Sequence, residues 1–323
     1  MEAEKMIYED IKNFFGQFAW KPEIVNDDGE RFRKFLAVGM GGSNLAADLV
    51  RILRPDLDIA VHRDYGLPEY LEADRLVLLC SHSGNTEEVI DAYNEAGKRN
   101  FKRMAIGAGG KLLELAEKDK TPYLRFPENK IQPRVALGFS FLALLKAIGD
   151  EKLLEASSLL AKTLKPADSE ENGKKLAEGL RGFVPVIYAS NRNKGLSYVW
   201  KVIFNETAKI PAFANVFPEL NHNEMTGFDF NGETKPMNEK LAFIFLEDGA
   251  DYSRITKRAT VTIKLMSGKR FKVEKVVLTG SSPVEKIFNS IILAHFTAYH
   301  LALNYGVEPE AVPMVEDFKK LIG

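Results

Sequence analysis

Short apolar runs, closed by glycine- or serine-rich turns and followed by helical periodicity, recur along the chain. Phe35-Leu36-Ala37-Val38 reads as a buried strand, Gly39-Met40-Gly41-Gly42-Ser43 as its turn, and Asn44 to Val50 as a helix. The unit repeats: Leu76 to Cys80 predicts a strand, Ser81 to Thr86 a turn and Glu87 to Ala96 a helix, with a further strand over Arg103 to Ile106. Val135 to Ile148 places Phe139, Leu142, Leu145 and Ile148 at helical spacing. Strands that alternate with helices imply a parallel sheet, so the fold class is α/β.

The stretch around residues 155–175, with Lys162, Pro166, Ser169, Asn172 and Gly173, is polar and broken. It predicts a connection between two domains, 1–155 and 156–323. Beyond it the same pattern returns. Val184 to Ser190 predicts a strand, Asn191 to Gly195 a turn and Leu196 to Lys209 a helix, which suggests a duplication of the Phe35 unit. Leu241 to Leu246 and Val273 to Leu278 add strands on either side of a helical stretch, Ile255 to Met266. The apolar helix Val284 to Asn304 carries more apolar surface than one solvent-facing helix needs, which predicts burial at a subunit interface.

Composition narrows the classes. A chain of 323 residues that is 45 % hydrophobic can bury a large core, and its length favours two domains over one. Lys and Arg number 44 against 45 for Asp and Glu, a balance with no general attraction to nucleic acid or to an anionic membrane; a local anion site is still compatible with it. The single cysteine, Cys80, sits in an apolar run, as a packing residue does in a reduced compartment. The chain opens without a basic-then-apolar leader and has no apolar run of membrane-spanning length, so a soluble, cytoplasmic protein is expected.

Candidate chemistry collects at a few turns. Ser81-His82-Ser83-Gly84-Asn85-Thr86-Glu87-Glu88 sets three hydroxyls and a glycine between a strand and a helix, where amide N–H groups and the helix dipole favour a phosphate. The same residues also suit a simple cap, with Ser83 or Thr86 closing the helix and the glutamates in its first turn. Gly39 to Ser43 lacks the G-x-G-x-x-G spacing of a dinucleotide turn, but its glycines allow close approach and Ser43 adds an oxygen contact. Both loops fit one sugar phosphate if they leave the same carboxyl edge of a parallel sheet. A P-loop spacing is absent, and His62, His82, His222, His295 and His300 form no metal-ligand spacing. Glu206, late in an apolar helix, suits a general base or an i,i+3 ion pair with Lys209. His222, in the polar Pro218 to Glu224 segment, suits proton exchange or the organisation of its loop. Arg134 offers a donor fork to an anionic intermediate or an ordinary interdomain ion pair.

Taken together, Gly39 to Ser43, Ser81 to Glu88, Gln132-Pro133-Arg134, Asn205-Glu206 and Glu219-Leu220-Asn221-His222-Asn223 resemble the bifunctional phosphoglucose/phosphomannose isomerase family of archaea and some bacteria. The resemblance covers essentially the whole chain, including Tyr305-Gly306-Val307-Glu308-Pro309 and Phe318-Lys319. It implies two sugar isomerase domains, each with a central parallel sheet flanked by helices, in a homodimer that serves glycolysis and gluconeogenesis. It also implies that Gly41, Ser43, Ser81, Ser83 and Thr86 hold the substrate phosphate, that Glu206 is the base, and that Arg134 stabilises an enediolate. His222, from the neighbouring subunit, and Lys319 would assist ring opening. Glucose 6-phosphate, mannose 6-phosphate and fructose 6-phosphate are the implied substrates, with no cofactor and no metal required. Ala311-Val312-Pro313 lacks a hydroxyl that relatives can carry near the sugar, which weighs on mannose conversion more than on glucose conversion. The competing readings are an isomerase of another phosphosugar, such as arabinose 5-phosphate, and a noncatalytic phosphosugar sensor.

Overall fold

The computed structural model describes residues 2–128 and 130–322. They divide into two compact units. One comprises residues 13–164 with Pro283–Glu285; the other comprises the residues up to Lys12, Lys165–Ser282 and those from Lys286 onward. The chain therefore changes unit at Leu164/Lys165, inside the stretch expected as a connection. That stretch is not broken, however: helices Glu151–Ser158, Leu160–Thr163 and Ala167–Leu180 occupy most of it. Two of its hydroxyls are satisfied locally: Ser157 donates to the Leu153 carbonyl at 2.6 Å and Ser158 to that of Glu155 at 2.7 Å.

In the unit built on residues 13–164, six strands form one sheet: β1 (Ile24–Val25), β2 (Lys34–Val38), β3 (Asp58–His62), β4 (Arg75–Cys80), β5 (Arg103–Gly107) and β6 (Tyr123–Arg125). The order is β1-β6-β5-β4-β2-β3, parallel throughout except for the antiparallel edge pair β1–β6. Every residue of β4 is buried. Helices cover both faces of a central parallel strand, which is why Leu76 to Cys80 reads as an unbroken apolar run. Leu36, Val38, Val77 and Leu79 pack on one face with Val89, Ala92 and Tyr93 of helix Glu87–Lys98 and with Leu112, Leu113 and Ala116 of helix Gly110–Lys118. Burying a side chain of this size is worth about 1.5–3 kcal/mol, so the apolar spacing of these elements is the main source of their order.

The other unit has a fully parallel sheet of β7 (Val184–Ser190), β8 (Phe213–Phe217), β9 (Leu241–Glu247) and β10 (Lys272–Val277), in the order β10-β9-β7-β8. Its core is aromatic: Tyr188, Phe217, Phe243 and Phe245 interlock, and Phe271 stands edge-on to Phe243 at 5.2 Å. Helix Pro283–Tyr305 corrects an expectation. Its Phe288, Ile291, Ile292, Phe296, Leu301 and Ala302 are already buried within a single chain. Most of its apolar surface is covered because it is a core helix, with Leu303 and Tyr305 left exposed at its end.

Candidate functional site

In the six-stranded sheet the chain runs from β2 outward to β3 and then returns to the far side of β2 as β4. Connections on either side of such a switch point leave a crevice at the carboxyl ends of the strands, here between β2 and β4. The two loops marked out by the sequence, Gly39 to Ser43 and Ser81 to Thr86, leave from these two strand ends. The Ser43 hydroxyl joins them by accepting from the His82 N–H at 3.0 Å.

Within the second loop, Ser81 is 1 % exposed; its hydroxyl oxygen accepts from the Gly84 N–H at 3.0 Å and lies 2.8 Å from the Thr86 hydroxyl. Thr86 precedes helix Glu87–Lys98 but makes no side-chain cap to it, and the Ser83 oxygen accepts from the Asn85 N–H at 3.2 Å. The capping alternative is thus set aside for Thr86: its hydroxyl turns inward to Ser81, and the helix N-terminus faces the loop without a capping oxygen from that residue. Gly84 is required by space and by conformation, since its φ is +72° and a Cβ there would lie 1.7 Å from the Gly109 carbonyl oxygen. Gly41 stands exposed at the start of the short 3-10 turn Gly41–Asn44. Burial pushes the Cys80 thiol up to about 12 and the His82 imidazole down, so the groups behind the cradle are a protonated thiol and a neutral ring at neutral pH.

Arg134 approaches the same loops through its main chain. A Cβ on Gly42 would come within 3.1 Å of the Arg134 amide nitrogen, so glycine lets the Gln132-Pro133-Arg134 segment pack against the β2 loop. The Arg134 residue is 1 % exposed. Gln17 fixes the following helix, Leu137–Ala147, by donating to the Val135 carbonyl and accepting from the Gly138 N–H, both at 2.9 Å.

In the other unit, the helix expected over Leu196 to Lys209 is an α-helix over Lys194–Ile203 that widens into a π-helical turn, Phe204–Ala208. Glu206 lies half-buried on that turn between buried Phe204 and Thr207. Lys209 donates to the main-chain carbonyl of Glu206 and, at 3.2 Å, to that of Pro309. His222 ends the 3-10 turn Glu219–Asn221 and is exposed, with its N–H on the Glu219 carbonyl at 2.9 Å. Its neighbours hold the loop. Asn221 donates to the Thr262 hydroxyl at 2.9 Å, Asn223 to Glu219 at 2.8 Å, and Glu224 accepts from the Tyr188 hydroxyl at 2.6 Å. Among the described residues the His222 ring is not part of this clamp, which disfavours a purely organising role. Lys319 is exposed on helix Pro313–Ile322; the adjacent Lys320 is paired with Asp317 at 3.4 Å.

The four-stranded sheet has its own switch point between β7 and β9, with different chemistry. The Ser190 hydroxyl donates to Asp251 at 2.7 Å; Asp248 accepts from the Ala250 N–H at 3.0 Å and lies 3.3 Å from the Lys286 ammonium. Carboxylates of the chain itself fill this crevice.

Curated relatives match over nearly the full length. The bifunctional phosphoglucose/phosphomannose isomerase of Caldicellulosiruptor bescii is 34 % identical over 97 % of this chain and 98 % of its own, and that of Thermoplasma volcanium is 35 % identical over 90 % and 92 %. The chain belongs to the bifunctional phosphoglucose/phosphomannose isomerase family. The family model described as the bacterial phospho-glucose isomerase C-terminal SIS domain matches residues 169–322, which contain the four-stranded sheet, Glu206 and His222. A crystal structure of a hypothetical protein from Thermus thermophilus superposes with a TM-score of 0.70 at 15 % identity, covering 99 % of this chain and 93 % of that one, and shares the fold.

Some residues that organise these sites escaped sequence reasoning. Asn44, 1 % exposed, donates from its amide to the Ala37 and Gly39 carbonyls at 3.2 Å each and to that of His62 at 3.3 Å, pinning the end of β2 to the end of β3. Its place directly after the glycine turn was the available signal. Gln17, more than a hundred residues from the helix it fixes, gave none.

Proposed function

We propose that this chain interconverts glucose 6-phosphate and mannose 6-phosphate with fructose 6-phosphate. Family membership supports the reaction class. The observation that carries the substrate reading is the junction of two hydroxyl-bearing loops at the switch point of the six-stranded sheet, made by the Ser43 to His82 bond beside an N-terminus that Thr86 leaves uncapped.

In this reading Gly41, Ser43, Ser81, Ser83 and Thr86 hold the phosphate through main-chain N–H groups and hydroxyls. Once the sugar ring opens, the carbonyl acidifies the proton on the neighbouring carbon. Glu206 takes the proton from carbon 2, and Arg134 stabilises the negative charge on the enediolate oxygen. Return of the proton to carbon 1 gives fructose 6-phosphate. Rotation about the bond between carbons 2 and 3 before return to carbon 2 gives the other aldose. His222 and Lys319 assist ring opening, with His222 contributed by the neighbouring chain of a homodimer; the exposure of its ring supports that assignment. The two sugar isomerase domains are 1–155 and 156–323 in the sequence reading, with the unit boundary at Leu164/Lys165.

The test is to incubate chelator-treated protein separately with glucose 6-phosphate and mannose 6-phosphate and to quantify fructose 6-phosphate. Formation from both is expected. Product from glucose 6-phosphate alone restricts the enzyme to one aldose, and product from neither removes the reading.

A further inference from the structure

The π turn that carries Glu206 is held in place by side chains. Such turns are rare within α-helices and concentrate at functional positions. The helix Lys194–Ile203 is regular; the wider turn Phe204–Ala208 then ends at Lys209, whose φ is +57° and ψ 34°. A left-handed residue stops the helical hydrogen-bond ladder and leaves the last carbonyls in need of other donors. One side chain supplies a donor to the turn's own carbonyls, and two tie the turn to other segments. Asn205 donates to the Ile210 carbonyl at 2.9 Å, and the Lys209 ammonium donates to the carbonyl of Glu206 and to that of Pro309. Phe204, Thr207 and Ala208 are buried, so the turn is anchored on either side of Glu206 and clasped at its own carbonyl.

The identity of residue 209 is informative. A left-handed conformation favours glycine or asparagine, and any other L-residue there costs about 1–2 kcal/mol. Glycine would meet the conformational demand at no such cost but brings no ammonium. Lys120 and Arg270 also take left-handed φ at helix ends in this chain, so conformation alone does not mark residue 209; two main-chain acceptors of its ammonium do. One is the main chain of Glu206. The other is Pro309, in the segment leading into helix Pro313–Ile322, where Lys319 lies.

We infer that Lys209 is a positioning residue for proton transfer. By holding the Glu206 carbonyl and tying it to Pro309, it fixes the main chain from which the Glu206 carboxylate projects, and so the direction in which that carboxylate meets the proton on carbon 2. The inference rests on the reading of Glu206 as the base. Misplacing a reacting group by about 1 Å costs on the order of 100-fold in rate while leaving substrate binding through remote groups intact.

The experiment compares Lys209→Met, Lys209→Asn and Lys209→Arg in the full chain, with Glu206→Gln in parallel. Met removes the ammonium at similar length. Asn removes it while suiting the left-handed conformation, which keeps the test sound if the Met variant folds poorly. For conversion of glucose 6-phosphate, the Met and Asn variants are expected to lose about 30- to 100-fold in kcat with KM within about threefold of the parent, and Arg to restore most of kcat. A kcat within about twofold of the parent in both Met and Asn variants overturns the inference. So does a loss shared equally by kcat and by affinity for a phosphate-bearing inhibitor, with no recovery in Arg. If Glu206→Gln keeps turnover, it is the base assignment that fails. If Glu206→Gln is inactive while the Lys209 variants are normal, only the role of Lys209 falls.

Discussion

Asn44 shows how much the proposed phosphate cradle depends on a residue that is given no part in holding the phosphate. Its buried amide serves three carbonyls at the ends of β2 and β3, and Ser43, its immediate neighbour, carries the bond that joins the two cradle loops. Replacing it with alanine removes the amide shared by these carbonyls, at about 1–3 kcal/mol, although that of His62 keeps another donor, the Gly39 N–H. Asn44→Ala is therefore expected to lower the urea midpoint and to raise KM for fructose 6-phosphate several-fold with a smaller change in kcat. An unchanged KM in a destabilised variant would separate the cradle from this amide. At this scale the turn itself was legible, because Ser, Gly and Thr between an apolar run and a helical period mark a strand-to-helix junction, whether they cap the helix or bind an anion. Which hydroxyl does what was not: Thr86 as a cap and Thr86 as a partner of Ser81 have the same sequence, and only the fold selects the second.

Among elements, the buried parallel strands were the most legible. Val184 to Ser190 is a strand over just those residues, and Leu241 to Leu246 is extended by one, because strands covered on both faces write themselves as unbroken apolar runs. Edge strands lack that signature. Asp58–His62 has only three apolar residues, Ile59, Ala60 and Val61, between polar ends, and Ile24–Val25 is only a pair, so neither was read. The π turn at Phe204–Ala208 was illegible for a different reason. Its apolar spacing is nearly that of an α-helix, and the left-handed Lys209 that ends it carries none of the glycine that usually marks such a stop. The polar stretch after Glu155 was read as broken because Pro166 and Gly173 weigh heavily in a local count. Pro166 stands just before the helix Ala167–Leu180, where its missing N–H costs nothing, and a Cβ on Gly173 would lie 2.6 Å from that of Phe296, a close approach that only glycine permits.

For the whole molecule, family membership and the two-sheet plan followed from motifs scattered over the entire length, but the discontinuity of one unit did not. Helix Glu2–Lys12 belongs with residues 165 onward, an association set by tertiary packing that no local pattern records. Asp10 of that helix provides a measurable consequence. Burial and then the Glu310 carboxylate raise its pKa from 3.8 to about 6. Between these two values the folded chain binds more protons than the unfolded one, so stability falls as pH rises through about 6 and stays lower above it. A shift of this size corresponds to about 3 kcal/mol, and the half-exposed setting of Asp10 reduces it to about 1 kcal/mol. Asp10→Asn should accordingly be more stable than the parent near pH 8, with the gain disappearing toward about pH 4; a gain equal at both ends would dissociate it from titration.

The carboxylates in the crevice between β7 and β9 have a kinetic meaning. A duplicated fold with two receptive crevices would capture sugar phosphate twice, and a molecule lodged in the wrong one would be unproductive ballast whose occupancy grows with substrate concentration. Asp248 and Asp251 occupy that second position, and the donors a phosphate would need there, the Ser190 hydroxyl, the Ala250 N–H and the Lys286 ammonium, are already taken by these carboxylates. Inorganic phosphate titrated calorimetrically should therefore saturate at one equivalent per chain, and the rate should rise to a plateau at high substrate without turning down.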